Sequence, residues 1–234
     1  MKMKKFLTII LLLVVIISLT GCDNVDKSSD AYQFKEEYES LNGEDNGNGK
    51  TIRTVEIPVD NPMKYASTDE IVEKMENKES FVVYFGFAKC PWCRSMIEEF
   101  IRSAQDNKID TIYYVDVLEV RDMYQLDDEG VVQQVKEGTK GYMKLIDLMG
   151  DVLSDYTLEK DGEKVEVGEK RIYAPNVVAV VDGQAEKMVE GTSEKLTDPY
   201  MKLTEEMKEE SYKSFKCLWE CLEADATTCQ KNTC

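Results

Sequence analysis

The sequence predicts an α/β domain, because runs typical of strands alternate with one-sided helical patterns through its middle. Residues 81–85 form a continuous apolar run, as in a strand that is buried on both faces. Residues 111–117 form a second β-rich run, and an amphipathic helical pattern separates the two. Strands that alternate with helices of this length favour a sheet with parallel pairs.

The elements on the amino-terminal side follow from local patterns. Residues 51–58 alternate like a strand. Ser67 and Glu70 then have the spacing of a capping box, which predicts the start of a helix. The helix that follows the buried strand has its apolar positions at Met96, Ile97, Phe100, Ile101 and Ala104.

The carboxyl-terminal half is predicted to contain helices and two hairpins. Residues 118–153 are expected to be mostly helical. Hairpins are expected at residues 156–167 and 177–189, because each range has an Asp-Gly pair at its centre. A long helix over residues 199–223 follows.

The composition removes whole classes of reaction. The chain has no histidine, a formal charge of -17 and seven cysteines. Ser-His-Asp and Cys-His nucleophiles, histidine-ligated metals and histidine pH switches are therefore excluded. The acidic balance argues against general electrostatic binding of nucleic acid. The chemistry that remains is mostly that of the cysteines.

The first 22 residues predict export. A basic start precedes an apolar run over residues 6–17, which is shorter than the ~20 residues that a membrane span needs. The run ends in Leu-Thr-Gly before Cys22, which resembles a bacterial lipobox. We expect residues 1–21 to be a signal peptide and Cys22 to carry the lipid that anchors the chain outside the cytoplasmic membrane. The alternative is an uncleaved anchor helix with an incidental cysteine.

A polar segment separates this anchor from the domain. Residues 22–50 are acidic and rich in Gly and Asn towards their end, so we expect a flexible tether. A short helix over residues 32–41 is a minor feature of this segment. The domain itself is expected over residues 51–215.

A C-x-x-C motif, Cys90 to Cys93, lies between the buried strand and the following helix. Cys90 falls at the predicted N-cap and Pro91 at the first helical position, where free amides and the helix dipole stabilise a thiolate. Cys93 shares a face with the apolar stripe, so we expect it to be the buried, resolving thiol. Lys89 and Arg94 add positive charge. Such a pair exchanges disulfides without a metal or cofactor.

Two stretches resemble thioredoxin-fold proteins. Residues 81–100 are similar to the active-site strand, loop and helix of that family, and residues 171–177 to its cis-proline loop before a hairpin. The resemblance implies a thioredoxin-like fold, a central mixed sheet flanked by helices. It also implies a substrate groove, whose residues would be Pro91, Trp92, Ala174 and Pro175. Trp92 is either a substrate contact or a lid on the sulfurs. With its lipobox, the chain resembles thioredoxin-like lipoproteins of Gram-positive bacteria near the bacteriocin-transport accessory group.

Two features depart from that family. Its reductases carry a buried acid on the strand before the motif, and by counting back Tyr84 stands there. A phenol is a poor base at neutral pH. The stretch between Cys93 and Pro175 is also long, which predicts an insertion of helices and a hairpin over about residues 118–170. This insertion would cap the groove or bind a partner.

The other four cysteines lie in the carboxyl-terminal tail, residues 216–234. Helical spacing places Cys217 and Cys221 opposite the apolar stripe of the last helix, outside the core. We expect the tail to fold back and be stapled by structural disulfides. Of three possible connectivities, an antiparallel return favours Cys217–Cys234 with Cys221–Cys229. The alternative is a second redox pair that exchanges with the C-x-x-C motif.

The sequence thus predicts a membrane-tethered, extracytoplasmic thiol–disulfide oxidoreductase and leaves the direction of electron flow open. Its partners would be exported proteins or peptides with thiols or disulfides, the membrane and a redox protein for recycling, with no nucleic acid. One alternative is a non-catalytic, thioredoxin-like accessory lipoprotein that binds a secreted peptide or transport complex. Another is a structural zinc site in which Cys217 and Cys221 complete the ligands.

Overall fold

Helices and strands alternate along residues 26–223, which together with Cys229 are the residues described by this computed structural model. The strands are β1 (Met63–Tyr65), β2 (Phe81–Gly86), β3 (Ile112–Asp116), β4 (Met123–Leu126), β5 (Val132–Lys136), β6 (Ser154–Lys160), β7 (Glu163–Arg171), β8 (Asn176–Val181) and β9 (Gln184–Val189). The helices are α1 (Asp30–Glu39), α2 (Thr68–Glu76), α3 (Pro91–Asp106), α4 (Lys140–Met149), α5 (Glu205–Ser214) and α6 (Lys216–Glu223).

A five-stranded mixed sheet with the order β1-β3-β2-β8-β9 lies at the centre. β3 pairs in parallel with β1 and with β2, whereas β2–β8 and β8–β9 are antiparallel pairs. β2 and β8 are buried at every position, because helices cover both faces of the sheet. The predicted α/β class with a mixed central sheet and flanking helices is confirmed.

The two faces of the sheet carry separate cores. Side chains of α1, α3 and α6 form the first, including Phe34, Tyr38, Met96, Phe100, Leu218 and Trp219. Side chains of α2 and α4 form the second, including Ile71, Met75, Tyr142, Leu145 and Met149. Successive strand residues point to opposite faces, so Tyr84 joins the first core and Phe85 the second.

The predicted capping box and the two predicted hairpins are confirmed. Ser67 caps α2 in a full capping box with Glu70. The hairpins β6–β7 and β8–β9 turn at Asp161-Gly162 and Asp182-Gly183, where both residues of each pair have positive φ.

The segment before the sheet is packed, which corrects the prediction of a flexible tether over residues 22–50. Ser29 caps α1, and Phe34 and Tyr38 are fully buried in the first core. Phe34 and Tyr38 are four positions apart and form a narrow apolar stripe on the helix. The acidic residues around them made the segment look like a solvated tether in the sequence. The tether prediction is therefore wrong from Asp30 onward.

Residues 51–58 form no strand, contrary to prediction. An isolated bridge joins Asp45 to Thr51, and the first strand of the sheet is β1. Val55 N–H donates to Asn42 Oδ1 at 3.0 Å and Ile57 N–H to a carboxylate oxygen of Glu39 at 2.7 Å. The apolar pattern reflects burial of Val55 and Ile57 in the first core, while the backbone bonds to side chains instead of to a neighbouring strand.

The predicted insertion contains more strand than expected. Residues 118–139 were expected to be helical, but β4 and β5 form a separate two-stranded hairpin there, and α4 begins at Lys140. The backbone N–H of Val131 donates to Asp127 Oδ1 at 2.8 Å, and Gly130 has a φ of 84°. A turn therefore joins two short β-rich runs, and this turn chemistry outweighs the helical pattern.

The predicted helix over residues 199–223 is divided. α5 begins after its N-cap, Thr204, and a break at Phe215 separates it from α6. Cys217 and Cys221 are buried in the first core, so the prediction that they lie outside it is wrong. Cys217, Leu218, Trp219 and Cys221 are all buried, so α6 is enclosed around most of its circumference and its helical spacing does not mark an outer face.

One tail disulfide is confirmed. Cys221 is bonded to Cys229, as the nested connectivity predicts. The other predicted pair, Cys217–Cys234, includes Cys234, which lies outside the described residues.

Within residues 26–223, no helix is long and apolar enough to cross a membrane. The predicted signal peptide, residues 1–21, and the predicted lipid-bearing Cys22 precede the described part of the chain.

We predict that Phe34→Ala lowers the free energy of unfolding by about 3–5 kcal/mol, since it empties a fully buried site. The Phe34 ring centroid lies 4.5 Å from that of Tyr38 and 4.9 Å from that of Tyr114. Denaturant unfolding measures the change. Gln33→Ala, at an exposed position of the same helix, should change it by less than about 0.5 kcal/mol. Equal stability of the two variants would contradict the packing of α1.

Candidate active site

The C-x-x-C motif occupies the loop after β2 and the first turn of α3. Cys90 is the N-cap of α3 and Pro91 its first residue, as predicted. Cys90 N–H donates to Phe87 O at 3.0 Å, which closes the loop. The Cys93 N–H donates to Cys90 Sγ at 3.3 Å. The helix therefore directs one of its free amides at the first sulfur, where negative charge is favoured.

A second loop, just before β8, lies against the first sulfur. The Ala174–Pro175 peptide bond is cis, as the resemblance implies. Cys90 Sγ donates to Ala174 O at 3.3 Å, a contact between positions 84 residues apart in sequence. The expected adjacency of this loop and the motif is confirmed.

The two sulfurs, both free thiols in this structure, have opposite electrostatic environments. A hydrogen bond from the Cys93 thiol lowers the pKa of Cys90, and backbone amides of Cys93 and Trp92 act in the same direction against the effect of burial. Complete burial raises the pKa of Cys93 well above its ordinary value. Cys90 is therefore suited to be the thiolate, and Cys93 retains its proton.

The positive charge near Cys90 comes from Arg121, a residue that the sequence argument missed. Its charge also lowers the pKa of Cys90. The Arg121 guanidinium carbon lies 5.3 Å from the centroid of the Phe87 ring, in the loop before Cys90. Because β2 and β3 are parallel, the segment after β3 emerges at the same edge of the sheet as the motif. The predicted parallel pairing of these two strands could therefore have indicated that Arg121 lies near the motif.

Arg94, predicted to favour the thiolate, has a structural role instead. Its side chain is buried, and its guanidinium donates to the carbonyl oxygens of Arg53, Tyr38 and Ala88 and to Asn42 Oδ1. These bonds fasten the segment before β1 to α3, directly beside the motif. Lys89, the other predicted cation, is exposed.

A pair of tyrosines lies behind the second sulfur. Tyr84 is fully buried on β2 in the core that also contains Cys93, and a hydrogen bond from its hydroxyl lowers the pKa of Cys93, against the larger effect of burial. The Tyr38 hydroxyl, from α1, lies 2.8 Å from that of Tyr84. Tyr84 thus lies on the strand before the motif and in the same core as Cys93, as the count from the motif predicts. Tyr38 was missed because it belongs to the segment expected to be flexible.

A groove of about 220 Å³ runs beside the motif. It is lined by Trp92, Tyr173, Ala174, Pro175, Glu190 and Thr192. Three of the four residues predicted to contact substrate therefore share one groove. Pro91, the fourth, is at the start of α3 and is not among the lining residues.

The insertion reaches this groove through Tyr173. The Tyr173 hydroxyl donates to Asp155 O at 3.2 Å and accepts from Thr157 N–H at 3.0 Å, which attaches it to β6. The hairpin β6–β7 is therefore fixed to a residue that lines the groove. Whether it caps the groove or binds a partner stays a prediction.

The zinc alternative does not fit this arrangement. It requires the thiolate of Cys221, and that sulfur is bonded to Cys229. Cys90 and Cys93 are instead free thiols beside the groove lined by Trp92 and Ala174, which is an arrangement suited to thiol–disulfide exchange.

No protein-family model matches the chain, and no curated protein is significantly similar to it.

We predict that Arg121→Gln raises the pKa of Cys90, because it removes a cation that favours the thiolate. Below that pKa, alkylation of Cys90 by iodoacetamide should slow about threefold, the effect of a partly screened charge. Peptide mass spectrometry over a pH series separates Cys90 from Cys93. The matched control is Lys89→Gln, which should have less effect; an equal effect of both variants would contradict the role of Arg121.

Proposed function

We propose that this chain is a thiol–disulfide oxidoreductase with a thioredoxin-like fold, in which Cys90 is the nucleophile and Cys93 the resolving thiol. The observation that carries the proposal is the placement of two free thiols in the first turn of α3, with Cys90 Sγ 3.3 Å from Ala174 O; the opposite pKa directions of the two thiols support it. The order of strands around β2 and the cis bond at Ala174–Pro175 support the family resemblance.

In the proposed exchange, the Cys90 thiolate attacks one sulfur of a substrate disulfide. A bond forms between Cys90 Sγ and that sulfur, and the other substrate sulfur leaves as a thiolate. Cys93 then loses its proton and attacks Cys90 Sγ, which forms the Cys90–Cys93 disulfide and releases the second substrate thiol. Two electrons pass from the protein to the substrate. The same steps in reverse oxidise a substrate dithiol, and no cofactor takes part.

The groove is the proposed binding place for an extended peptide. The Ala174 carbonyl lies next to the reactive sulfur, so a substrate backbone that pairs with this loop would bring its own sulfur to Cys90. Trp92 supplies an apolar surface at one side of the groove. Glu190 and Thr192 give it polar groups, which suit a partly hydrated peptide.

We also propose that the protein works close to the outer face of the cytoplasmic membrane, anchored through Cys22. Eight residue steps separate Cys22 from Asp30, where α1 begins, and a chain of that length spans at most about 30 Å. A lipid on Cys22 would therefore hold the groove near the membrane. Exported thiol proteins and a membrane-associated redox partner are the expected partners.

We predict that Cys93→Ser, expressed in its host as the full chain, accumulates mixed disulfides on Cys90. The serine cannot release the substrate, so reducible adducts should appear on non-reducing gels and in mass spectra. Cys90→Ser is the matched control and should trap nothing. Absence of adducts, together with no insulin reduction and no thiol oxidation by the unmodified protein, would favour the non-catalytic accessory lipoprotein.

A further inference from the structure

Two tyrosine hydroxyls from different elements meet next to Cys93. Tyr84 belongs to β2 and Tyr38 to α1, and both side chains are fully buried. Their hydroxyl oxygens are 2.8 Å apart, Cys93 is buried in the same core, and a hydrogen bond from the Tyr84 hydroxyl lowers the pKa of Cys93. A hydroxyl buried this deeply requires a hydrogen-bond partner. Here the two hydroxyls are hydrogen-bonded to each other, and the Tyr84 hydroxyl is also bonded to the Cys93 sulfur.

The nearby acid is engaged elsewhere. Glu37 precedes Tyr38 on α1, but its carboxylate accepts hydrogen bonds from Tyr65 and from Tyr114, the latter at 3.0 Å. Neither of those hydroxyls belongs to the pair at Cys93. Of these side chains, the one that bonds to Cys93 is therefore the Tyr84 phenol and not the carboxylate.

The position of the Tyr84 hydroxyl is fixed by its surroundings. Its ring stacks on Tyr114, with centroids 5.4 Å apart, and meets the edge of Phe100 at 5.6 Å. A Cβ atom at Gly86 would lie 2.3 Å from the Tyr84 hydroxyl oxygen, so glycine is required two positions further along the strand. The strand is thus built to accommodate this hydroxyl.

Both phenols keep their protons at neutral pH. Burial raises the pKa of Tyr84 and of Tyr38 well above the ordinary value, so neither is a base. A neutral hydroxyl can still donate to an anion, and a hydrogen bond to a charged acceptor is stronger than one between neutral groups. A second hydroxyl that donates to the first strengthens that bond further.

We infer that Tyr84, oriented by Tyr38, stabilises the Cys93 thiolate during the resolving step by donating a hydrogen bond to its sulfur. This inference rests on the proposed function. The Cys93 thiolate attacks Cys90 Sγ of the mixed disulfide, the bond from Cys90 to the substrate sulfur breaks, and the electron pair leaves with the substrate. The proton that Cys93 gives up ends on the released substrate thiol. Both tyrosines retain their own protons and act as positioning residues.

The test follows the two halves of the reaction separately. The aromatic disulfide DTNB releases one coloured thiolate when Cys90 attacks it and a second when Cys93 resolves the adduct. In the reduced full chain with its tail disulfide intact, Cys93→Ser should abolish the second release and Cys90→Ser both, which assigns the phases. Stopped-flow absorbance then gives a rate for each step.

Tyr84→Phe should slow the second release about tenfold, as expected for loss of one hydrogen bond to a charged group, and leave the first unchanged. Tyr38→Phe should slow the second release by a smaller factor. Tyr114→Phe is the matched control, because it removes a buried hydroxyl that bonds to Glu37, and it should leave both rates as they are. The pH at which the second release is half-maximal should rise in Tyr84→Phe, which a purely structural role would not cause.

Three results would overturn the inference. One is an unchanged second release in Tyr84→Phe, and another is an equal slowing of both releases, which would indicate general disruption of the site. The third is an equal effect of Tyr114→Phe. Failure of the unmodified protein to give either release at Cys90 and Cys93 would contradict the proposed function itself and is distinct from these outcomes.

Discussion

The hydrogen bonds from Cys93 to Cys90 Sγ at the start of α3 are the interaction on which the rest of the site depends. Cys93 N–H donates to Cys90 Sγ, and the Cys93 thiol lowers the pKa of its neighbour while burial keeps its own proton in place. The pKa values of the two thiols are therefore shifted in opposite directions, and Cys90 is the one suited to be a thiolate. The buried strand β2, the helix α3 and the loop at Ala174 all serve to hold these two atoms in that relation.

The segment before β1 is part of the site and not a spacer. Arg94 binds carbonyl oxygens of this segment, and α1 places Tyr38 against Tyr84. A buried guanidinium needs hydrogen-bond acceptors such as these carbonyl oxygens. The buried hydroxyl of Tyr84 likewise needs a hydrogen-bond partner, which Tyr38 supplies. Loss of the segment would therefore both destabilise the fold and change the surroundings of Cys93. These contacts couple the segment before β1 to the surroundings of Cys90 and Cys93.

Features that depend on neighbouring residues were predicted correctly from the sequence, whereas contacts between distant parts of the chain were mostly missed. The N-cap at Cys90 and the hairpin at Asp182-Gly183 depend on neighbouring residues, and sequence patterns report such features directly. Arg121 and Tyr38 reach the site through the sheet topology and through the packing of α1, which a single sequence does not encode locally. The burial of Cys217 was not predicted for a similar reason, because it depends on packing around most of α6 and not on helical spacing.

The redox equilibrium of the Cys90–Cys93 pair against glutathione, followed by mass spectrometry of the reduced and oxidised chain, tests the central claim most directly. The account predicts a single reversible two-electron transition that joins Cys90 to Cys93 and leaves the Cys221–Cys229 bond intact at the same ratios. The midpoint would also give the direction in which the protein transfers electrons. Absence of a Cys90–Cys93 disulfide at every ratio, or its appearance only after Cys221–Cys229 is reduced, would contradict the account.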